Sequence, residues 1–477
     1  MTPAPTAETS CDLVVLGGGP AGLAAAWRAA RRGLTVVLLE RAPVVGGMSA
    51  SHELAGVRVD NGSHRLHPAT DPDLLADLRG LLGDDLQTRP RHGRLRVHDR
   101  WLDFPLRAAQ LATDLPRGLV AGALKDAALA PVRRPRGDES YESVLRTGLG
   151  PALYDAMYGP YARKLWGLDG TRIDVEQARR RVSADTPWKV AARVARGGRT
   201  RRGSQQGAVF HYPRRGFGQI VDAMAEAATR AGADVRTGVE ISAVHARPDG
   251  VRVLWDGGAV RARQAFSTLP LTTLGRLARP APSAQAVQDA AGLQFRAMVL
   301  VYLVHQGGRW TGYDAHYLPG AHTPMTRISE PANYRVSADD PDDRSVLCVE
   351  IPCAAGDPVW RMDEHQLLDL VRAGLVASGL PEVRLPVAGG VDVRRLPHVY
   401  PVYACGYAQR LAGIEAWADR LANVTTFGRL GLFVHDNTHH AMRMAYDAVD
   451  CLRPDGSMDP RAWAAARERF ASHVVED

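Results

Sequence analysis

The chain has little cysteine, almost no lysine and no long apolar run, and each shortage narrows what it can be. Its five cysteines, Cys11, Cys348, Cys353, Cys405 and Cys451, form no C-x-x-C pair and no metal-ligand spacing. Their odd number argues against a disulfide framework, so a reducing cytoplasm is the expected compartment and no metal is expected. No uninterrupted apolar stretch approaches the ~18 residues of a membrane span, so no transmembrane segment is expected. Residues 1–10 are polar and proline-containing, without the basic and apolar regions of a signal peptide, and read as a frayed leader. Lysine occurs only at Lys125, Lys164 and Lys189, and the rest of the 59 basic residues are arginine. The net charge of +7 is spread along the chain, so no nucleic-acid partner is expected. The densest cluster, Arg193 to Arg202, lies in a glycine-rich stretch and reads as a solvated linker.

What is present begins at Asp12-Leu-Val-Val-Leu-Gly17-Gly18-Gly19-Pro20-Ala21-Gly22 and continues to Thr35-Val-Val-Leu-Leu-Glu40. The order is strand, glycine turn, helix, strand, acid. Gly17 permits the tight bend, Gly19 lets the backbone approach a pyrophosphate, and Gly22 lets the helix pack closely on the strand. The helix opening at Pro20 and Ala21 presents amide N–H groups and a positive dipole end to the phosphates. Glu40, about 20 residues on, is spaced to accept hydrogen bonds from the adenosine ribose and disfavours a ribose phosphate. With 477 residues, 45% of them hydrophobic, the chain can bury two cores, and a two-domain enzyme is expected.

Which dinucleotide is bound is read from Arg41-Ala-Pro-Val-Val-Gly46-Gly47-Met48, where a basic residue and a glycine pair follow the acid. With these residues the chain resembles the FAD-dependent amine oxidase and protoporphyrinogen oxidase superfamily, which also includes phytoene desaturases and, more distantly, UDP-galactopyranose mutases. The resemblance implies FAD as cofactor. It also implies an α/β fold in which a discontinuous Rossmann-like FAD domain (residues 1–105, 205–285 and 420–477) carries a mixed α+β substrate domain, helical over 106–204 and a sheet over 286–419. Asp234 to Ser242 is expected as one strand, with the backbone of Val239 toward the adenine. Gly428-Arg429-Leu-Gly431, followed by Asn437 and a helix from Thr438, is expected at the pyrophosphate, the ribityl chain and the flavin pyrimidine.

Catalytic side chains are expected to be few, because the flavin carries the chemistry. The loop Asp60-Asn61-Gly62-Ser63-His64-Arg65 resembles one that crosses the flavin face. His64 could there relay a proton or simply fix the loop. His435 stands where many relatives carry an aromatic residue. Tyr317, Arg327 and Arg335 resemble a substrate-facing segment, in which arginine could grip a carboxylate or phosphate. The segment Met157 to Gly167 resembles a marker of the bacterial branch. Cys405 reads as an ordinary buried thiol, and no lysine can be assigned a flavin-side role. The resemblance implies a small-molecule substrate, oxygen or another electron acceptor, and a monomer or homodimer. The activity expected is FAD-dependent oxidation or desaturation of a small biosynthetic metabolite, such as an amino- or hydroxy-substituted sugar. The alternative is a non-redox, mutase-like isomerase acting with reduced FAD.

Overall fold

The computed structural model describes residues 8–475, except 106–109, 111–112, 134–138, 182–208 and 388. The arginine cluster at 193–202 and Lys189 lie outside the described residues.

One sheet of eight strands is built from three distant parts of the chain. Its parallel centre runs in spatial order Asp234–Arg236, Val36–Leu39, Glu8–Leu16 and Gly258–Ser267, with Val424–Thr426 also pairing parallel to Gly258–Ser267. Two antiparallel strands, Gly250–Trp255 and Ile241–Arg247, extend the other edge. Both faces of the central strands are covered, which explains why Leu13-Val-Val-Leu16 and Val36-Val-Leu-Leu39 are apolar throughout rather than alternating. On one face lie the helices Pro20–Arg31, Gln219–Arg230 and Thr438–Asp450; on the other lie Leu271–Leu277 and Tyr407–Ala418. The register aligns Leu16 with Leu39 and Ser267, and Ser267 with Thr426, so four strands end at one level. Gly17, Glu40, Thr268 and Gly428 step from those ends toward a single crevice, where open α/β sheets bind ligands.

A second sheet of seven strands stands beside it, in the order Val391–Val402, Gln294–Gln306, Arg344–Cys353, Arg327–Ser329, Ala315–Tyr317, Gly93–Val97 and Arg100–Phe104. Alternation along Gln294–Gln306 decides its two faces. Val299, Val301 and Leu303 pack toward the helix Glu364–Ser378, while Met298, Leu300 and Tyr302 pack with Val57 and Val59 of a hairpin from the first region. The helices Arg117–Leu129, Tyr141–Leu149, Gly159–Trp166 and Val175–Arg181 make up the helical part.

Three expectations need correcting. The strands within 93–104 hydrogen-bond into the second sheet, so a boundary at 105 divides that sheet. The helix Tyr407–Ala418 buries Leu411, Ile414 and Trp417 against the first sheet although it was expected with the second. The expected single strand over 234–242 is two strands broken by a turn at 237–240, where Gly238 takes φ +70°.

Lys164 joins the helical part to the second sheet. Its Nζ donates to the carbonyl oxygens of Leu318, Gly320 and Met325. Burial pushes its pKa down to about 7, yet three carbonyl acceptors match the three protons of an ammonium group. This lysine is a fastening, not a flavin-side group.

Candidate active site

The crevice opens into a cavity of about 620 Å³ lined from both sheets. Its first wall is the glycine turn. A Cβ built on Gly22 would lie 1.9 Å from the Gly17 carbonyl oxygen, so helix and turn touch there, whereas one on Gly19 would meet nothing within 4 Å. No side chain caps the helix Pro20–Arg31. Open space at Gly19 and an uncapped helix start are what a pyrophosphate requires. Glu40 holds the turn from the opposite strand, its Oε2 accepting from Gly18 N at 2.6 Å and its Oε1 from Ala42 N at 2.8 Å. These residues fit FAD.

Gly17, Gly19, Pro20, Ala21, Glu40, Arg41, Gly47, Met48, Gly428, Arg429, Asn437 and Thr438 all line the cavity. Gly22 and Gly46 lie behind the lining: a Cβ on Gly46 would lie 2.8 Å from Val221 and 3.1 Å from Ala50. Val239 is also outside the lining, and its N–H donates to the Glu40 carbonyl at 2.9 Å.

The second wall carries a row fixed by strand register. Leu300 pairs with Glu350, Glu350 with Arg327, and Arg327 with Tyr317, so these four stand side by side across the sheet. Glu350 Oε1 accepts from Arg327 Nη2 at 2.8 Å and from Ser63 N at 2.8 Å, which ties the 61–65 loop to the sheet. Tyr317 Oη accepts from Arg65 Nη1 at 2.9 Å. The Arg65 side chain is 8% exposed, paired with Asp314 at 3.1 Å and seated over the rings of Phe210 and Tyr334, and its Nε has no hydrogen-bond partner among the described residues. Burial alone would raise the Tyr317 pKa; Arg65, Arg327 and Arg91 outweigh it and lower the phenol below its usual value.

His64 lines the cavity, and its Nε2 lies 3.0 Å from the Asn61 carbonyl, which it can serve only as a donor. Burial lowers its pKa, so the ring is a neutral loop anchor that keeps Nδ1 as an acceptor. His435 is not in the lining. It is fully buried behind Tyr400, edge-on to Trp166 and Tyr403, and burial followed by Arg181 and Arg429 holds its pKa well below the usual histidine value. Arg335 is likewise withdrawn, 3% exposed and paired with Asp340 at 2.6 Å. Cys405, expected as a buried thiol, is instead exposed, just before the helix Tyr407–Ala418, and lies outside the lining. Tyr161 and Leu165 bring the 157–167 segment into the cavity wall.

Sequence reasoning missed Glu350, Arg65, Arg91 and Asp436. Glu350 had a signal, as the one charge in an otherwise apolar buried strand, Ser345-Val-Leu-Cys-Val-Glu-Ile. Arg91 and Asp436 gave none, because only the fold brings them to the cavity.

Glycine turn, ribose acid, uncapped helix and a cavity walled by a second sheet define an FAD-binding oxidoreductase. The chain belongs to the flavin containing amine oxidoreductase family, whose family model matches residues 20–447. A coproporphyrinogen III oxidase from Propionibacterium freudenreichii subsp. freudenreichii is 24% identical over 87% of this chain and 86% of its own. Among solved structures, reduced UDP-galactopyranose mutase superposes with a TM-score of 0.80 at 20% identity, covering 98% of this chain and all of that one. A structure described as a putative protoporphyrinogen oxidase from Exiguobacterium sp. 255-15 gives 0.69 at 17% identity, over 93% and 98% of the two chains. No helix among the described residues is long and apolar enough to cross a membrane.

Proposed function

We propose that this FAD-dependent oxidoreductase removes hydride from a small biosynthetic metabolite that carries a carboxylate or phosphate. One observation carries the reading: Arg65, Arg91 and Arg327 gather around Tyr317 in the same cavity as the glycine turn. Against them the second wall sets Glu350, whose Oε1 is already committed to Arg327. Guanidinium groups in such a place favour an anion that presents two oxygens.

Bound FAD supplies the hydride acceptor. The chain's own residues do the rest. The Gly17–Ala21 turn binds the pyrophosphate and Glu40 meets the ribose. Glu350 fixes the orientation of Arg327, and the arginines hold the anionic end of the substrate so that a carbon bearing a hydroxyl or amino group faces the interior. Tyr317, with Arg65 donating to its oxygen, exchanges the proton of that group. Met298, Leu300 and Leu165 exclude water from the apolar side. A relative named for coproporphyrinogen III and a neighbour named for UDP-galactopyranose bracket the range of substrates to try.

The test is an anaerobic titration of the FAD-bound protein with hydroxy and amino acids, porphyrinogens and sugar phosphates, followed by the visible flavin band. Bleaching by an anionic compound, and not by its neutral ester, supports the reading. If no anion bleaches the band, but one is rearranged without net oxidation after prior reduction, the protein is a mutase-like isomerase instead.

Arg327→Lys keeps the charge opposite Glu350 but removes the planar fork. Each charge-assisted hydrogen bond lost is worth about 1.5–3 kcal/mol, so the substrate's KM should rise about tenfold to a hundredfold, with kcat changing less. Steady-state kinetics on the identified substrate checks this. An unchanged KM would place the anion elsewhere.

A further inference from the structure

At the far end of the cavity Asp436, Asn437 and Thr438 form the lining where the helix Thr438–Asp450 begins. The Asp436 side chain is fully buried, and its Oδ1 lies 3.0 Å from His473 Nδ1 and 3.3 Å from His440 Nδ1. Its Oδ2 has no hydrogen-bond partner among the described residues. The His440 and His473 rings are stacked 4.3 Å apart and 15° from parallel. A shared metal ion would have to lie in both ring planes beside both Nδ1 atoms, and near-parallel stacked planes have no such point. The cluster is built for protons.

His440 Nδ1 is claimed twice. The N–H of Asn437 donates to it at 3.3 Å, which needs a lone pair on that nitrogen. Asp436 Oδ1, at the same distance, needs a proton there. One nitrogen cannot serve both at once. Without a proton on Nδ1, His440 closes the capping box of the helix. With one, it pairs with Asp436 and gives up the Asn437 N–H, at the cavity wall and at the positive end of the helix dipole.

We propose that His440 is a positioning residue that takes up a proton, held by Asp436 and His473, when negative charge develops in the cavity on reduction of bound FAD, and thereby turns the helix start toward that charge. The balance is simple: an external reductant, dithionite in the test below, would supply two electrons to bound FAD together with the proton that the ring itself takes from solvent, and one further proton would pass from solvent to His440 Nδ1. The groups facing Asp436 are His439 and His440 from the helix that follows it, His473 from the C-terminal segment, Arg180 from the helix Val175–Arg181, and the Tyr403 phenol. Burial alone would raise the carboxyl; the hydrogen bonds from His440 and His473 outweigh it and keep it below the usual range, so Asp436 stands as a carboxylate acceptor for a ring that gains a proton. His439, next to His440 and to His67, is driven down to about 2 by burial and by those neighbouring rings, so it stays neutral.

The proposal rests on FAD binding and not on the substrate reading, and its test needs no substrate. The midpoint potential of the FAD-bound protein is measured against pH, between about pH 5 and pH 8 where histidines exchange protons, by equilibration with a reference dye under dithionite. One extra proton taken up with two electrons steepens the slope by 29.6 mV per pH unit. His440→Gln keeps a capping-box residue at that helix position but cannot hold the proton, so its slope should be shallower by about 30 mV per pH unit than the wild type over that range. Asp436→Asn should flatten the slope similarly. Equal slopes in wild type and both variants, each with full FAD content, would overturn the proposal. A shallower slope in either variant supports it.

Discussion

Gly19→Val yields a folded protein without bound FAD. Gly19 has φ −75°, which any residue adopts, and a Cβ there meets nothing within 4 Å, so the chain accommodates valine without strain. The added methyl groups fill the space over the first turn of Pro20–Arg31 that the pyrophosphate must enter. Loss of two charge-assisted hydrogen bonds costs about 3–6 kcal/mol, a weakening of more than about a hundredfold. The purified variant should show no flavin band after dialysis, and its melting temperature should equal that of wild type stripped of FAD, since a ligand that no longer binds no longer stabilises. Gly22→Ala is the contrasting variant. Its Cβ would lie 1.9 Å from the Gly17 carbonyl, so helix and turn must separate, and loss of the fold rather than of the cofactor is expected. If Gly19→Val retains stoichiometric flavin, the pyrophosphate does not lie on this turn.

The second large effect belongs to Asp60. This carboxylate is 1% exposed, and its Oδ1 accepts from Phe217 N at 2.9 Å and from Ser51 Oγ at 2.6 Å, while Oδ2 accepts from Tyr212 Oη at 2.5 Å. Its carbonyl accepts from Tyr302 Oη on the second sheet at 2.6 Å. One residue thus collects donors from the hairpin, from the segment before the helix Gln219–Arg230, and through its backbone from the opposite wall of the cavity. Asp60→Ala leaves three donors without this acceptor, those of Phe217 and Tyr212 fully buried and that of Ser51 half-buried. Breaking a buried charged network in this way costs about 3–5 kcal/mol. The urea midpoint should fall accordingly with the slope unchanged, and FAD should be held more loosely because the 61–65 loop starts at this residue. An unfolding free energy within ~0.5 kcal/mol of wild type would mean that the network is solvated.

Much of the cofactor half was legible from local sequence, because a dinucleotide turn needs particular residues at particular spacings: Gly17, Gly22 and Glu40 each meet a steric or hydrogen-bonding demand that few other residues satisfy. The substrate half was not. Tyr317 and Arg327 were found by resemblance, but the row Leu300–Glu350–Arg327–Tyr317 exists only through strand register, which is set by hydrogen bonding across hundreds of residues. His435 and Arg335 lie outside the cavity lining, which their segments did not foretell. Both are polar residues in suggestive segments, yet neighbouring rings enclose one and Asp340 neutralises the other. Val239 sits in a turn between two short strands, where its N–H donates to the Glu40 carbonyl, a pairing that residue types alone do not announce. A histidine that accepts from one neighbour and donates to the next cannot be read from residue types at all.

The eight-stranded sheet brings residues near 15, 266 and 425 together side by side, and the C-terminal segment closes the same cavity with Val475. During synthesis the glycine turn therefore emerges from the ribosome first, while the strand beside it, the arginine of the Gly428–Gly431 turn and the final wall are still untranslated. A cofactor held between the glycine turn and the Gly428–Gly431 turn would be captured only once the strand Val424–Thr426 has joined the sheet. A chain interrupted between Glu40 and Val424 carries the dinucleotide motif intact and still lacks the neighbouring strand and the Gly428–Gly431 turn, so translation that stops there leaves apoprotein for the degradation machinery rather than a partly active flavoenzyme.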